Sequence, residues 1–156
     1  MASTTNFVFY PPVSFYFKIS VHGFDTESDF QEITGLSMNV DTVALNEGGQ
    51  NLYVHNLPTR AKSERLVLKR GLKVSSSLIN WCKKAIEEFS FSPKNIDIFL
   101  LDPGAPDSSN NILASWHLTN AFPVKWSLSS LNAMNNELAI ETIELQYHRF
   151  TKSFPN

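Results

Sequence analysis

Four histidines, one cysteine, a glycine pair and three clusters of charge are where this sequence could do chemistry. His22, His55, His117 and His148 could bind a metal, but each stands without a second ligand-type residue at a metal-site spacing. They are expected as surface or edge positions on strands and turns. Cys82 is the sole cysteine, which excludes an internal disulfide and a cysteine-based zinc site. It falls among apolar residues at helical spacing, so it reads as a small buried hydrophobe and not as a nucleophile. Gly48–Gly49 has neither the lysine nor the helix start of a phosphate-binding loop, which leaves turn chemistry. Lys69–Arg70–Gly71 could hold a phosphate, yet two basic residues closing a strand read more simply as a solvated end or an ion-pair site. Asp25, Glu27 and Asp29 lack the glycine and distal glutamate of a calcium loop. Glu137, Glu141 and Glu144 are more informative. On a strand, Glu137 and Glu141 share one parity and Glu144 takes the other. Partly buried glutamates need partners, and Lys69–Arg70 is the candidate, in the same subunit or a neighbouring one. No pair of polar residues has catalytic spacing. The expectation is a protein that is not an enzyme, with no cofactor and no metal.

Composition narrows the class further. The length suits one domain over residues 1–156, with an extended arm at 1–13 and a C-terminal tail at 150–156. Thirteen basic against fifteen acidic residues argue against a nucleic-acid binder. No apolar run approaches the roughly 20 residues of a membrane-spanning helix. The start, MASTTNFVFYPPVSFYF, has no basic leader and its apolar run is cut by Pro11–Pro12, so cytoplasmic synthesis is expected. Twelve phenylalanines, several within the first thirty residues, favour a chain that buries surface against partners.

The elements that must position these groups are mostly strands. Ser14–His22 alternates, with Phe15, Phe17, Ile19 and Val21 on one side. Phe30–Leu36 is a short strand in which Gly35 marks a bulge or a close backbone approach. Met38–His55 reads as two weak strands around the tip NEGGQN, whose paired glycines supply positive φ. Neither face of that hairpin is clearly apolar, so it projects into solvent or packs on another chain. Asn56–Arg60 is expected as a turn and Ser63–Arg70 as a strand. The single helix is expected near 76–89, with Leu78, Cys82, Ala85, Ile86 and Phe89 as its apolar stripe, Trp81 at the edge of the stripe, and a serine N-cap. Asn95–Asp102 has apolar residues on both parities, as in a strand covered on both faces.

The last block, Ile112–Phe150, is the most apolar. Ile112, Ala114, Trp116, Leu118 and Phe122 share a parity, and Pro123 is expected to bend or interrupt the sheet between Leu113–Phe122 and Val124–Leu128. Glu137–Arg149 mixes its parities, which suggests a strand that swaps its buried side or bulges near Glu141–Thr142. The sum is a mainly β fold: an antiparallel β-barrel or sandwich of about eight strands with one flanking helix and an extended hairpin near 38–55.

The order of these segments resembles a known family. NEGGQN is followed by LVLKRG, a helix with W-C-K-K, the strand IDIFLLD, then W-x-L-x-N-A-F-P-V-K-W and NNELAIETIELQY. That series, over about residues 14–149, looks like the tail-tube proteins of contractile-tailed bacteriophages and the inner-tube proteins of bacterial contractile injection systems. The resemblance implies homohexameric rings, stacked into a tube around a channel for cargo delivery. It implies sheath, baseplate and tube-cap proteins as partners, possible lumen cargo, no specifically bound nucleic acid and no membrane. Assembly would occur in the bacterial cytoplasm, before the particle acts as a phage tail or injection device. Glu47, Gly48, Gly49, Gln50 and Asn51 would form the inter-subunit or inter-ring hairpin tip. Leu66, Leu68, Lys69, Arg70, Asn136, Glu137, Glu141 and Glu144 would lie on ring-interface or channel strands. Two alternatives stay open: a tube initiator at the baseplate of the same machine, and a secreted ring-forming carrier or small-ligand β-barrel.

Overall fold

A computed structural model describes residues 17–24, 30–46, 48–49, 52–102, 112–132, 134 and 137–154. The arm at 1–13, the acidic turn at 25–29 and most of the loop after Asp102 lie outside the described residues. Nine strands and one helix occur among the described residues: β1 Phe17–Val21, β2 Phe30–Thr34, β3 Met38–Leu45, β4 His55–Ser63, β5 Leu66–Gly71, α1 Ser77–Glu87, β6 Lys94–Leu101, β7 Ile112–Leu128, β8 Ile140–Gln146 and β9 Arg149–Ser153. All pairings are antiparallel.

β7 organises the molecule. Its first part pairs with β6 and, on the other edge, with β9, and its last part pairs with β8. One sheet therefore runs β1–β6–β7–β9 and the other β7–β8–β5–β2, joined through a single long strand. Of the two outcomes expected at Pro123, a bend or an interruption, the interruption does not occur. Pro123 is buried inside a continuous strand, at the point where β7 changes partners, and the register shifts between Pro123 and Lys125. A strand that crosses between sheets needs such an irregularity, and there the missing N–H removes little. The parity also turns over at Asn120, which takes φ 52. Asn tolerates this left-handed conformation better than most residues. Before it Ala114 and Leu118 face the core, and after it Ala121 and Pro123 do, so Phe122 leaves the side assigned to it by simple alternation.

One apolar core fills the space between the two sheets and α1. Ile19, Leu66, Leu68, Ile96, Ile98, Leu118, Ile143 and Leu145 are buried in it, each contributing about 2 kcal/mol by leaving water. Ser76 caps α1, its Oγ accepting from Ile79 N at 3.2 Å. The buried stripe is Leu78, Ile79, Trp81, Cys82 and Ala85, rotated from the expected one. Trp81 turns inward because its indole donates to Ser92 O at 2.8 Å. Phe89 drops out of the stripe: it takes φ 51 just past the helix, is exposed, and lets Ser90 N close on Lys84 O.

Three other boundaries differ from the sequence reading. Asn56–Arg60 is no turn but part of β4, where a register shift accommodates Pro58. Ser63–Arg70 is split: Ser63 ends β4, and β5 starts at Leu66. Gly35 explains the break, because a Cβ there would lie 1.7 Å from Arg65 O at φ +90; only glycine permits that approach. Finally, Glu137–Arg149 is not one strand with a swapped side. β8 alternates strictly, burying Glu141, Ile143 and Leu145, and the chain then returns as β9, which starts at Arg149 and runs into the expected tail.

Candidate assembly surfaces

The β3–β4 hairpin forms a two-stranded sheet of its own, away from the core. Every residue of β3 is exposed, and every residue of β4 except Ser63. Val43 opposes Leu57 and Leu45 opposes His55, while Met38, Val40 and Ala61 occupy the other face. Val40, Val43 and Leu57 are 58%, 55% and 49% exposed. Such β-branched and aliphatic residues stabilise a pleated surface only when something packs on it. Leu52 and Tyr53, just before β4, are exposed as well. The root of the hairpin is fastened tightly. Tyr147 donates its hydroxyl to Gly35 O at 2.8 Å, and Ser63 Oγ donates to Tyr147 O at 2.9 Å. Burial pushes the Tyr147 phenol above its ordinary value, with the Glu64 charge adding, so it remains a donor at neutral pH. At the tip Gly49 takes φ +96, and among the described residues nothing lies within 4 Å of a Cβ added at Gly48 or Gly49. Glu47, Gln50 and Asn51 lie outside the described residues.

The outward face of the β7–β8–β5–β2 sheet is polar. Glu144 accepts from Lys125 at 3.0 Å and from Arg65 at 3.2 Å, and Lys69 donates to Glu32 at 2.7 Å. The hydrogen bond from Lys125, with Arg65 adding, holds the Glu144 carboxyl below its usual range against the opposing effect of burial. Thr142 and Ser127 pair across the same strands. This parity is the hydrated one; the other faces the core.

The predicted strand residues therefore divide. Leu66 and Leu68 are inside the subunit, Lys69 and Glu144 face outward, and Glu137 is exposed ahead of β8. Asn136 lies outside the described residues. Arg70 and Glu141 meet each other in the interior, within a single subunit, Nε to Oε2 at 2.9 Å. Trp126 Nε1 donates to the other Glu141 oxygen at 3.0 Å, and Arg70 Nη2 donates to Ser76 Oγ at 2.8 Å. This links β5 and β8 to the last part of β7 and to the start of α1. Burial, helped by the Glu141 charge, pushes the Cys82 thiol up to about 12, so it stays protonated and unreactive.

The structure also brings together residues the sequence left apart. His22 Nε2 and His117 Nδ1 approach the two oxygens of Asp97 at 2.9 and 2.5 Å. Burial would raise the Asp97 pKa, but hydrogen bonds from His117 and His22 outweigh it and hold the carboxyl below its ordinary value. Strand register was the signal for this group, and register is not written in spacing along the chain.

Comparisons with known proteins point one way. The sequence model of a family described as T4-like virus tail tube protein gp19 matches residues 13–151. Among solved structures, the chain is similar to one in the cryo-EM structure of the anti-feeding prophage baseplate, 6-fold symmetrised, with 27% identity over 93% of this chain and 97% of that one and a TM-score of 0.81. It is also similar to a chain of the anti-feeding prophage tube-terminating cap, at 26% identity over 99% and 100%, TM-score 0.79. A third, from the sheath–tube complex of the PVC extracellular contractile injection system in its extended state, shares 24% identity over 99% of both chains, TM-score 0.80. Among curated proteins none matches.

Proposed function

The chain belongs to the T4-like virus tail tube protein family, and from that premise we propose that it is an inner-tube subunit of a contractile injection particle or phage tail, assembling into stacked hexameric rings. Its role is structural, as that family's is. The observation that carries the assembly is the β3–β4 hairpin, which is rigidly rooted yet exposes apolar side chains on both faces. A monomer gains nothing from such a projection, whereas neighbouring copies would cover both faces and close its free edges. Leu131, Met134 and Leu138, exposed at 74%, 92% and 77%, supply a second apolar surface before β8. Ring closure with axial stacking needs two such surfaces. The polar face bearing Lys69, Thr142, Glu144 and Lys125 suits a hydrated channel wall, past which cargo could move.

Sheath, baseplate and cap proteins are the partners this reading supplies, in line with the sheath–tube, baseplate and cap assemblies that contain the similar chains. The similarity to a baseplate chain also supports a second reading, in which the subunit seats the first ring as a tube initiator. Native mass spectrometry and negative-stain imaging of the purified protein test the first reading: six-fold rings or tubes are expected, and a strict monomer at high concentration overturns it. Recovery from intact particles in low copy with baseplate components, and not along the tube, would establish the initiator instead.

A further inference from the structure

The outward face of the β1–β6–β7–β9 sheet carries a side-chain group that none of the proposed contacts uses. In β6, Asp97 stands directly across from His117 of β7 and from Ser20 of β1. His22 follows Ser20 by two residues, which returns it to the same face one diagonal step away. Its amide is fixed there by a hydrogen bond to Asn95 O at 3.0 Å. The nitrogen and oxygen atoms that His22, Asp97 and His117 can offer all lie within 4.8 Å of one another. The side chains are 54%, 24% and 41% exposed, so an ion and its remaining water ligands have a way in. The register neighbours of this group, Ser20 beside Asp97 and Thr151 beside His117, are uncharged.

We propose that His22, Asp97 and His117 bind one divalent transition-metal ion, of the zinc, nickel, cobalt or copper type. Two imidazoles and a carboxylate are the donor set these ions prefer, and magnesium and calcium favour sites made of oxygen alone. Asp97 and His117 are held by adjacent paired strands, and His22, just past the end of β1, is fixed by its amide bond to Asn95 O, so little ordering is needed on binding. The ion replaces the histidine–carboxylate hydrogen bonds, and water completes its coordination. Asp97 is already ionised at neutral pH, so its carboxylate is ready to bind the ion. Bound metal would tie β1 to β6 and β7 at the outer surface of the subunit.

The test is titration of metal-stripped, full-length protein with Zn2+ by calorimetry and with Co2+ by visible absorbance. One ion per chain is expected, with affinity falling about tenfold or more in His117→Ala and in Asp97→Asn, and no change in His55→Ala or His148→Ala. Excess Mg2+ should not compete. Far-UV circular dichroism checks that the strand variants fold, and His22→Ala, outside the strand, provides a third variant with little risk to folding. Absence of saturable uptake overturns the proposal, as does uptake that survives all three ligand substitutions. Neither result bears on the tube reading, which rests on other residues.

Discussion

Arg70 and Glu141 form an ion pair wholly inside the subunit, with Nε 2.9 Å from Oε2 and each side chain 1% exposed. Trp126 and Ser76 take up further hydrogen-bonding positions on the two groups, and the Arg70 guanidinium lies 5.5 Å from the centre of the Phe30 ring. Desolvating two charges is costly, so the pair stabilises little against an apolar replacement; its effect is to make one register of β5 on β8 far better than its neighbours.

Breaking the pair from one side should therefore be worse than removing it. Arg70→Met leaves a buried carboxylate without its cation and should destabilise by about 3–5 kcal/mol. The double variant Arg70→Met, Glu141→Leu should regain most of that loss. Urea denaturation of the three proteins decides it, and equal losses in the single and double variants would refute this account.

Polar substitutions on the hairpin should separate folding from assembly. Val43→Asp and Leu57→Asp each change an exposed position, so subunit stability should move by no more than about 0.5 kcal/mol. Rings and tubes should be lost. Thermal melting and sizing by ultracentrifugation read the two effects independently, and normal assembly in both variants would show that this face contacts nothing.

The tip offers a sharper version. Valine at Gly49 must adopt φ +96, whereas Gly48 carries no such restriction. Gly49→Val should cost about 1–3 kcal/mol locally, and replacement of both glycines by valine should block stacking while the subunit stays folded. Electron microscopy of the double variant is the check: tubes of normal length would remove the tip from the interface.

Acid should weaken the fold through two carboxylates. Asp97 and Glu144 both titrate below their ordinary values in the folded protein. Their contribution is thus complete above the unfolded carboxylate range, at about pH 4–5, and fades as pH falls through the lowered folded values. Asp97→Asn and Glu144→Gln should each flatten the stability curve below about pH 5. Denaturation midpoints measured from pH 7 to 3 would contradict this if the variants kept the parent's slope.

Much of the architecture was legible because it follows from neighbours along the chain. Alternation in Phe17–Val21 and the spacing of Leu78, Cys82 and Ala85 indicate their strand and helix from local geometry alone. The hairpin's lack of an inward face is also a local property, as is the need of Gly35 for close approach. The side-swap expected for Glu137–Arg149 rests on Leu138 and Ile140 sharing one parity and Ile143, Leu145 and Tyr147 the other. In the structure Leu138 lies ahead of β8, and the buried parity runs through Glu141, which meets Arg70, one of the two basic residues expected as its partner.

By itself, then, the sequence determined the periodicities, the helix, the unburiable hairpin and the ordered segments that mark the family. Tertiary structure alone decided which charges meet. Arg70 and Glu141 are 71 residues apart, and His22 and Asp97 are 75 apart. Their contacts depend on strand register and on the continuity of β7 through Pro123, both set by collective packing of the core. A one-residue slip in either pairing would leave the same sequence and the same elements, with every one of these side chains on the opposite face.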